Sequence, residues 1–152
     1  MGNRLIVKNE ILINAEPSKV WDALTDSEHT QKYMYGCKAT SDWEVGTPLL
    51  WKGMWEHKEM IFVKGNIISI DPGASLAYTT FDPNNTSVED VPENYLTVTY
   101  DLTPQDGKTV LVVTQGDYTN VPNGEHRYNE AVKAGGWSSI LEQIKTIVEA
   151  GN

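Results

Sequence analysis

The stretch that most constrains this chain is residues 134–149, AGGWSSILEQIKTIVE. Trp137, Ile140, Leu141, Ile144 and Val148 fall at i, i+3, i+4, i+7 and i+11. At helical pitch this is one apolar stripe, with Ser138, Ser139, Glu142, Gln143, Lys145 and Glu149 over much of the remaining surface. A helix with one apolar face has to bury it against another layer. The residues upstream, in short alternating segments, read as that layer.

Continued toward the N-terminus at the same pitch, the stripe passes Ala134, Lys133, Glu130 and His126. A helix starting near Asn123 would therefore show polar or small residues where its second half shows apolar ones. An unpaired buried charge is costly, so on this reading the first half faces a wet cavity or its mouth. The alternative is that Gly135 and Gly136 break or rotate the helix, and Glu130 meets water. Both readings stay open at this level.

Residues 4–14, RLIVKNEILIN, place Leu5, Val7, Ile11 and Ile13 on one strand face, interrupted by Asn9. Asn9 is either a polar group in a cavity or the mark of a bend. Pro17 opens a short helix with Val20, Trp21 and Leu24 on its apolar face. A second short helix follows, capped by Thr25 or Asp26 with Glu28 as the capping-box partner, and Gly36 ends it. The period then becomes two. A strand over 38–43 ends at Trp43; in the next, Thr47, Leu49, Trp51, Gly53 and Trp55 look inward. A long strand over 59–70 has ambiguous parity and a bulge near Gly65. Residues 82–93, DPNNTSVEDVPE, form a polar, mobile surface connection. Leu96, Val98, Tyr100 and Leu102 alternate cleanly, Asp106-Gly107 makes a hairpin turn, and residues 109–117 return with uncertain parity. Such short connections imply antiparallel pairing. The fold class is α+β: about six to seven strands in a curved antiparallel sheet around a long C-terminal helix, with two short helices after the first strand. Residues 1–152 are expected to form a single domain.

The formal charge of -9 is spread along the chain. That disfavours nucleic acid and an electrostatic anchor on anionic lipid, both of which need clustered cations. Cys37 stands alone, excluding an intrachain disulfide and a thiolate zinc site. No signal peptide or apolar span is seen, and a cytoplasmic location is expected.

Four segments, in this order, resemble one known family: ILINAEPSKVWDALTD, WEVGTPLLWKG, KGNIISIDPGASLAYTTF and GGWSSILEQIK. They look like a START-like, or SRPBCC, domain of the helix-grip fold. The nearest group is similar to the C-terminal domain of the activator of the heat-shock-protein-90 ATPase. The resemblance covers nearly the whole chain. It implies a cavity between the long helix and the concave sheet, and ligands that are small and apolar or amphipathic. Some relatives are cyclases or hydrolases, and many bind without chemistry. The chaperone-activating relatives carry an additional N-terminal domain that this sequence lacks, so chaperone binding is not the expected function.

His29, His57 and His126 show no metal-ligand spacing, and no metal or other cofactor is expected. There is no GxSxG elbow and no signature of a cysteine nucleophile. Glu56, His57 and Glu59 cluster beside a strand junction and read as a solvated turn. The aromatic set is more informative. Trp51, Trp55, Tyr78, Tyr100 and Trp137 all fall on faces assigned inward, and their N–H and O–H groups need polar partners. A partly hydrated ligand cavity supplies them, with Asn9, Gln115, His126 and Glu130 as its placed polar groups and Ala134 as the small residue beside Trp137. Three functions are carried forward: a binding protein for an apolar or amphipathic small molecule, an enzyme of cyclase, dehydratase or hydrolase type acting through Glu130 or His126, and a chaperone-associated interaction module.

Overall fold

The computed structural model describes residues 4–150. Seven strands form one antiparallel sheet in the order β1-β7-β6-β5-β4-β3-β2. They are β1 (Val7–Ile13), β2 (Lys38–Ser41), β3 (Pro48–Trp55), β4 (Lys58–Asp71), β5 (Ser75–Thr80), β6 (Leu96–Gln105) and β7 (Lys108–Gly116). Two short helices, α1 (Pro17–Thr25) and α2 (Ser27–Tyr33), follow β1; α3 (Gly124–Lys133) and α4 (Ser138–Ala150) close the chain. This is the helix-grip arrangement, with a curved sheet on one side and the C-terminal helix packed against it.

The local chemistry follows the sequence closely. Pro17 occupies the first turn of α1, and the Asp26 carboxylate accepts the Glu28 backbone N–H at 2.9 Å to cap α2. Glu56 and His57 both take positive φ in the two-residue β3–β4 turn. Two register shifts bend β4, one leaving Phe62 and the other Ile68 unpaired, so the bulges flank Gly65 rather than falling on it. At Gly65 itself a Cβ would lie 1.6 Å from the Thr79 carbonyl oxygen, so only glycine allows the strands to approach this closely. β2 ends at Ser41, short of Trp43.

The core lies between the concave face and α1 and α4. Val20 and Leu24 of α1 and Leu141, Ile144 and Val148 of α4 are buried there together with Ile13, Leu102, Leu111 and Val113. Each such aliphatic side chain contributes about 1.5–3 kcal/mol by leaving water. The two buried threonines, Thr109 and Thr30, are both paired. The Thr109 hydroxyl donates to the Ala15 carbonyl at 2.7 Å, and Thr30 Oγ1 accepts the Ala39 N–H at 2.9 Å.

The terminal helix is not continuous: of the two readings of Gly135 and Gly136, the break is the one the chain adopts. Gly135 (φ 94°) and Gly136 (φ 59°) turn the chain left-handed. Their N–H groups cap α3 by bonding the Val132 and Ala131 carbonyls, in the pattern of a Schellman motif. Asn9 of β1 grips the break from below. Its Oδ1 accepts the Trp137 N–H at 2.9 Å, and its Nδ2 donates to the Gly135 carbonyl at 3.3 Å. A Cβ at Gly136 would sit 2.4 Å from Asn9 Oδ1. The far end of α4 is tied to the same strand. Glu149 accepts the Asn14 N–H at 2.8 Å and pairs with Lys145, which also donates to the Leu12 carbonyl.

Two outcomes follow. Asn9→Ala leaves the Trp137 N–H and the Gly135 carbonyl without their partner, and urea unfolding should show a loss of about 1–3 kcal/mol. The second concerns Glu149, whose pKa is held below the usual glutamate value chiefly by its Lys145 hydrogen bond, then by the Asn14 N–H. A lowered folded-state pKa gives stability that is present above the unfolded value and lost as pH falls through the folded one. The melting-temperature gap between wild type and Glu149→Gln should therefore be open at neutral pH and close as pH drops below about 4.3.

Candidate functional site

Helix α4 fills only one half of the concave face. Over the other half, where β3 to β7 curve away, a cavity of about 670 Å³ remains. Its size lies within the range of small-molecule sites. The cavity therefore sits beside the start of α4, under its Trp137 end, and not beneath the helix as a continuous element would require.

The apolar walls come from alternate positions of neighbouring strands: Trp51 of β3, Phe62 and Val63 of β4, Tyr78 of β5, Leu96 and Val98 of β6. Period-two alternation sends Trp51, Val63, Tyr78, Leu96 and Val98 to one face, and the bulge at the unpaired Phe62 lets it join its neighbour Val63 there. Four rings run in sequence along the inner wall. Trp51 and Tyr78 have centroids 6.1 Å apart, Tyr78 and Tyr100 5.6 Å, Tyr100 and Trp137 6.0 Å. Such tilted and edge-on contacts add about 0.5–1.5 kcal/mol per pair beyond burial. The Tyr78 and Tyr100 hydroxyls are 2.7 Å apart, and the Trp137 indole N–H donates to Gln115 Oε1 at 3.0 Å. Burial, more than any neighbour, raises the pKa of both tyrosines, which therefore keep their protons at neutral pH.

The mouth is built from three segments. The end of α2 brings Met34 and Tyr35, and the approach to α3 brings Pro122, Asn123 and Arg127. The third is the polar connection between β5 and β6, which supplies Asp82, Asn85, Ser87, Val88 and Asn94. Read from sequence as a mobile surface loop, it is pinned to the sheet. Lys64 pairs with Asp90, the Tyr95 hydroxyl donates to Asp90 at 2.6 Å, and the Phe81 and Tyr95 rings stack at 4.8 Å. The Lys64 hydrogen bond, followed by that of Tyr95, holds the Asp90 carboxyl below the usual range. Tyr35 (87% exposed) and Met54 (64%) stand at the rim as uncovered apolar surface.

The residues singled out from sequence separate clearly. Trp51, Tyr78, Gln115 and Trp137 line the cavity. Tyr100 stands behind Tyr78, and Asn9 holds the helix break rather than a cavity wall. Trp55 is 59% exposed, contrary to its inward assignment, because the β3–β4 hairpin runs beyond the helices that cover the rest of that face. His126, Glu130 and Ala134 are exposed and lie outside the cavity lining. The glycine break re-aims α3, so the phase carried back from Trp137 does not apply to them. Arg127, Asn123 and the 82–95 connection were missed; the i, i+4 spacing of Asn123 and Arg127 at a helix start was the available signal. Among the described residues no group of three His, Cys, Asp or Glu side chains is placed to hold a metal ion. The Cys37 thiol also lines the cavity, and burial raises its pKa, which disfavours the nucleophilic thiolate.

Comparison with known proteins accords with this geometry. The family model described as "Activator of Hsp90 ATPase homolog 1-like protein" matches residues 14–149. A Cytophaga hutchinsonii protein solved in solution is 32% identical, with 99% of this chain and 98% of that one covered and a TM-score of 0.74. A crystal structure from Mesorhizobium loti is 21% identical (97% and 98% covered, TM-score 0.73). An Hsp90 activator from Plasmodium falciparum is 18% identical (95% and 96% covered, TM-score 0.67). Below a quarter identity these last two speak for the fold alone. No curated protein matches the chain. With the fold and the family model in agreement over most of its length, the chain belongs to the activator of Hsp90 ATPase homolog 1-like family.

Proposed function

We propose that this protein binds a single small apolar or amphipathic molecule in the cavity and carries it without chemical change. The observation that carries the reading is an opening of about 670 Å³ walled by Trp51, Phe62, Tyr78, Phe81 and Trp137. Large rings bordering an open space gain by covering apolar surface, at about 25 cal/mol per Å² removed from water. General acid–base work needs a positioned proton donor or acceptor inside the site. Among the described lining residues Asp82 is the one carboxylate, exposed at the mouth, and none is a histidine. Binding is therefore favoured over a cyclase or hydrolase activity. A cytoplasmic location belongs to the same proposal.

One observation favours a chaperone-associated role: Met54 and Trp55, consecutive in β3, are both exposed at the β3–β4 hairpin, and exposed apolar surface marks contact sites. On our reading immobilised Hsp90 retains neither the wild type nor Trp55→Ser. Retention of the wild type alone would move the function to that hairpin.

The cavity reading is tested with N-phenyl-1-naphthylamine, a neutral fluorescent probe. Saturable enhancement at one probe per chain is expected, with quenching of tryptophan emission because Trp51 and Trp137 border the site. Val63→Trp fills the space and should weaken binding by roughly tenfold or more. A non-saturable response, or equal binding by the variant, would count against the proposal.

A further inference from the structure

The inner wall of the cavity holds more hydrogen-bond donors than the protein itself uses. Tyr78 pairs with Val98 across β5 and β6, and Val98 with Gln115 across β6 and β7. These three residues form one transverse row, with small Val98 between two polar ends, and all three border the cavity. The orientation of Gln115 is forced. An indole N–H can only donate, so the amide oxygen must face Trp137, at 3.0 Å. The amide nitrogen is turned the other way, and no described residue accepts from it.

The tyrosine pair has a similar surplus. Two hydroxyls 2.7 Å apart carry two protons, and one hydrogen bond between them uses one. Tyr78 borders the cavity and Tyr100 does not. If Tyr78 donated, the Tyr100 proton would be left buried without an acceptor, a costly arrangement. With Tyr100 donating, the Tyr78 proton is free to turn to the cavity. Burial keeps both phenols protonated, so these donors persist at neutral pH.

Donors without acceptors define the missing partner. A carboxylate at this depth would lack a counter-charge. Arg127 is the one cation among the described lining residues; it stands at the mouth, donating to the Pro122 carbonyl and lying over the Tyr118 ring. We infer that the ligand, bound as in the function proposed above, carries an uncharged carbonyl oxygen at its inner end, received by the Tyr78 hydroxyl and the Gln115 amide N–H. Trp51 and Trp137 would flank the aromatic or aliphatic body attached to it.

The test compares two probes of nearly equal shape, benzophenone and diphenylmethane, on the whole chain. Benzophenone should bind roughly tenfold more tightly, because a site of unpaired donors favours the partner that satisfies them. Its carbonyl stretch should move to lower wavenumber on binding. Tyr78→Phe removes one donor. Gln115→Met removes the amide donor without adding another and leaves a thioether sulfur, a weak acceptor, toward Trp137. Each should lower the ratio of benzophenone to diphenylmethane affinity, and with it part of the infrared shift, whatever it does to the affinity for diphenylmethane itself. Tyr100→Phe should keep the preference. Equal affinity for the two probes, or an unshifted carbonyl stretch in the wild type, overturns this inference and leaves the cavity reading standing. Binding of neither probe overturns both. Should Tyr78→Phe fail to fold, Gln115→Met and the wild-type infrared shift decide.

Discussion

Asn9 is the contact on which the arrangement of the C-terminal half depends. Its amide reaches from the sheet to the point where the terminal helix breaks, accepting from the Trp137 N–H and donating to the Gly135 carbonyl. Helix ends leave backbone groups without intrahelical partners, and buried ends require them. Here the partner is a single side chain on β1. Gly136 packs so close to it that any Cβ would overlap the amide oxygen. The break is therefore a built joint, in which the sheet selects where α4 begins.

The position of the joint determines the cavity. Because α4 starts at Ser138, its buried residues Leu141, Ile144 and Val148 cover the sheet only from there on. Trp137 is the last side chain to reach across, and its indole borders the open space while bonding Gln115. Helix α3, freed from the phase of α4, lies mostly in water and lends the site only its first turn, through Arg127. Closure falls to α2 and to the connection between β5 and β6, which the Lys64–Asp90 pair and the Phe81–Tyr95 stack hold against the sheet. The result is a packed interior on one side of Trp137 and an aromatic hollow on the other.

Much of this was legible in the order of residues. Period-two runs mark strands and period-3.6 runs mark helices, because side-chain direction repeats with backbone geometry. Leu96, Val98, Tyr100 and Leu102 read directly as one face of β6, and Ile144 and Val148 as the buried stripe of α4. Trp51, Tyr78 and Trp137 were found by the same logic. That logic failed at Glu130, His126 and Ala134, where phase was carried across two glycines in left-handed conformation. It failed at Trp55 as well: alternation assigns a face of the strand, but says nothing of whether another layer covers it there. The 82–93 connection reads correctly as polar surface, but its polarity gave no sign of the Lys64–Asp90 pair or of the Phe81–Tyr95 stack that flanks it.

The amino-acid sequence by itself determined the class of fold, the strand faces and the helix that packs on them, since these follow from local periodicity and the need to bury apolar surface. Even the two readings of Gly135 and Gly136 were visible in it. Choosing between them, and thereby placing the cavity, belonged to the tertiary structure alone. The choice rests on hydrogen bonds from Asn9 to residues more than a hundred positions away. No local pattern encodes a contact of that range; it exists only once β1 and the start of α4 have been brought together.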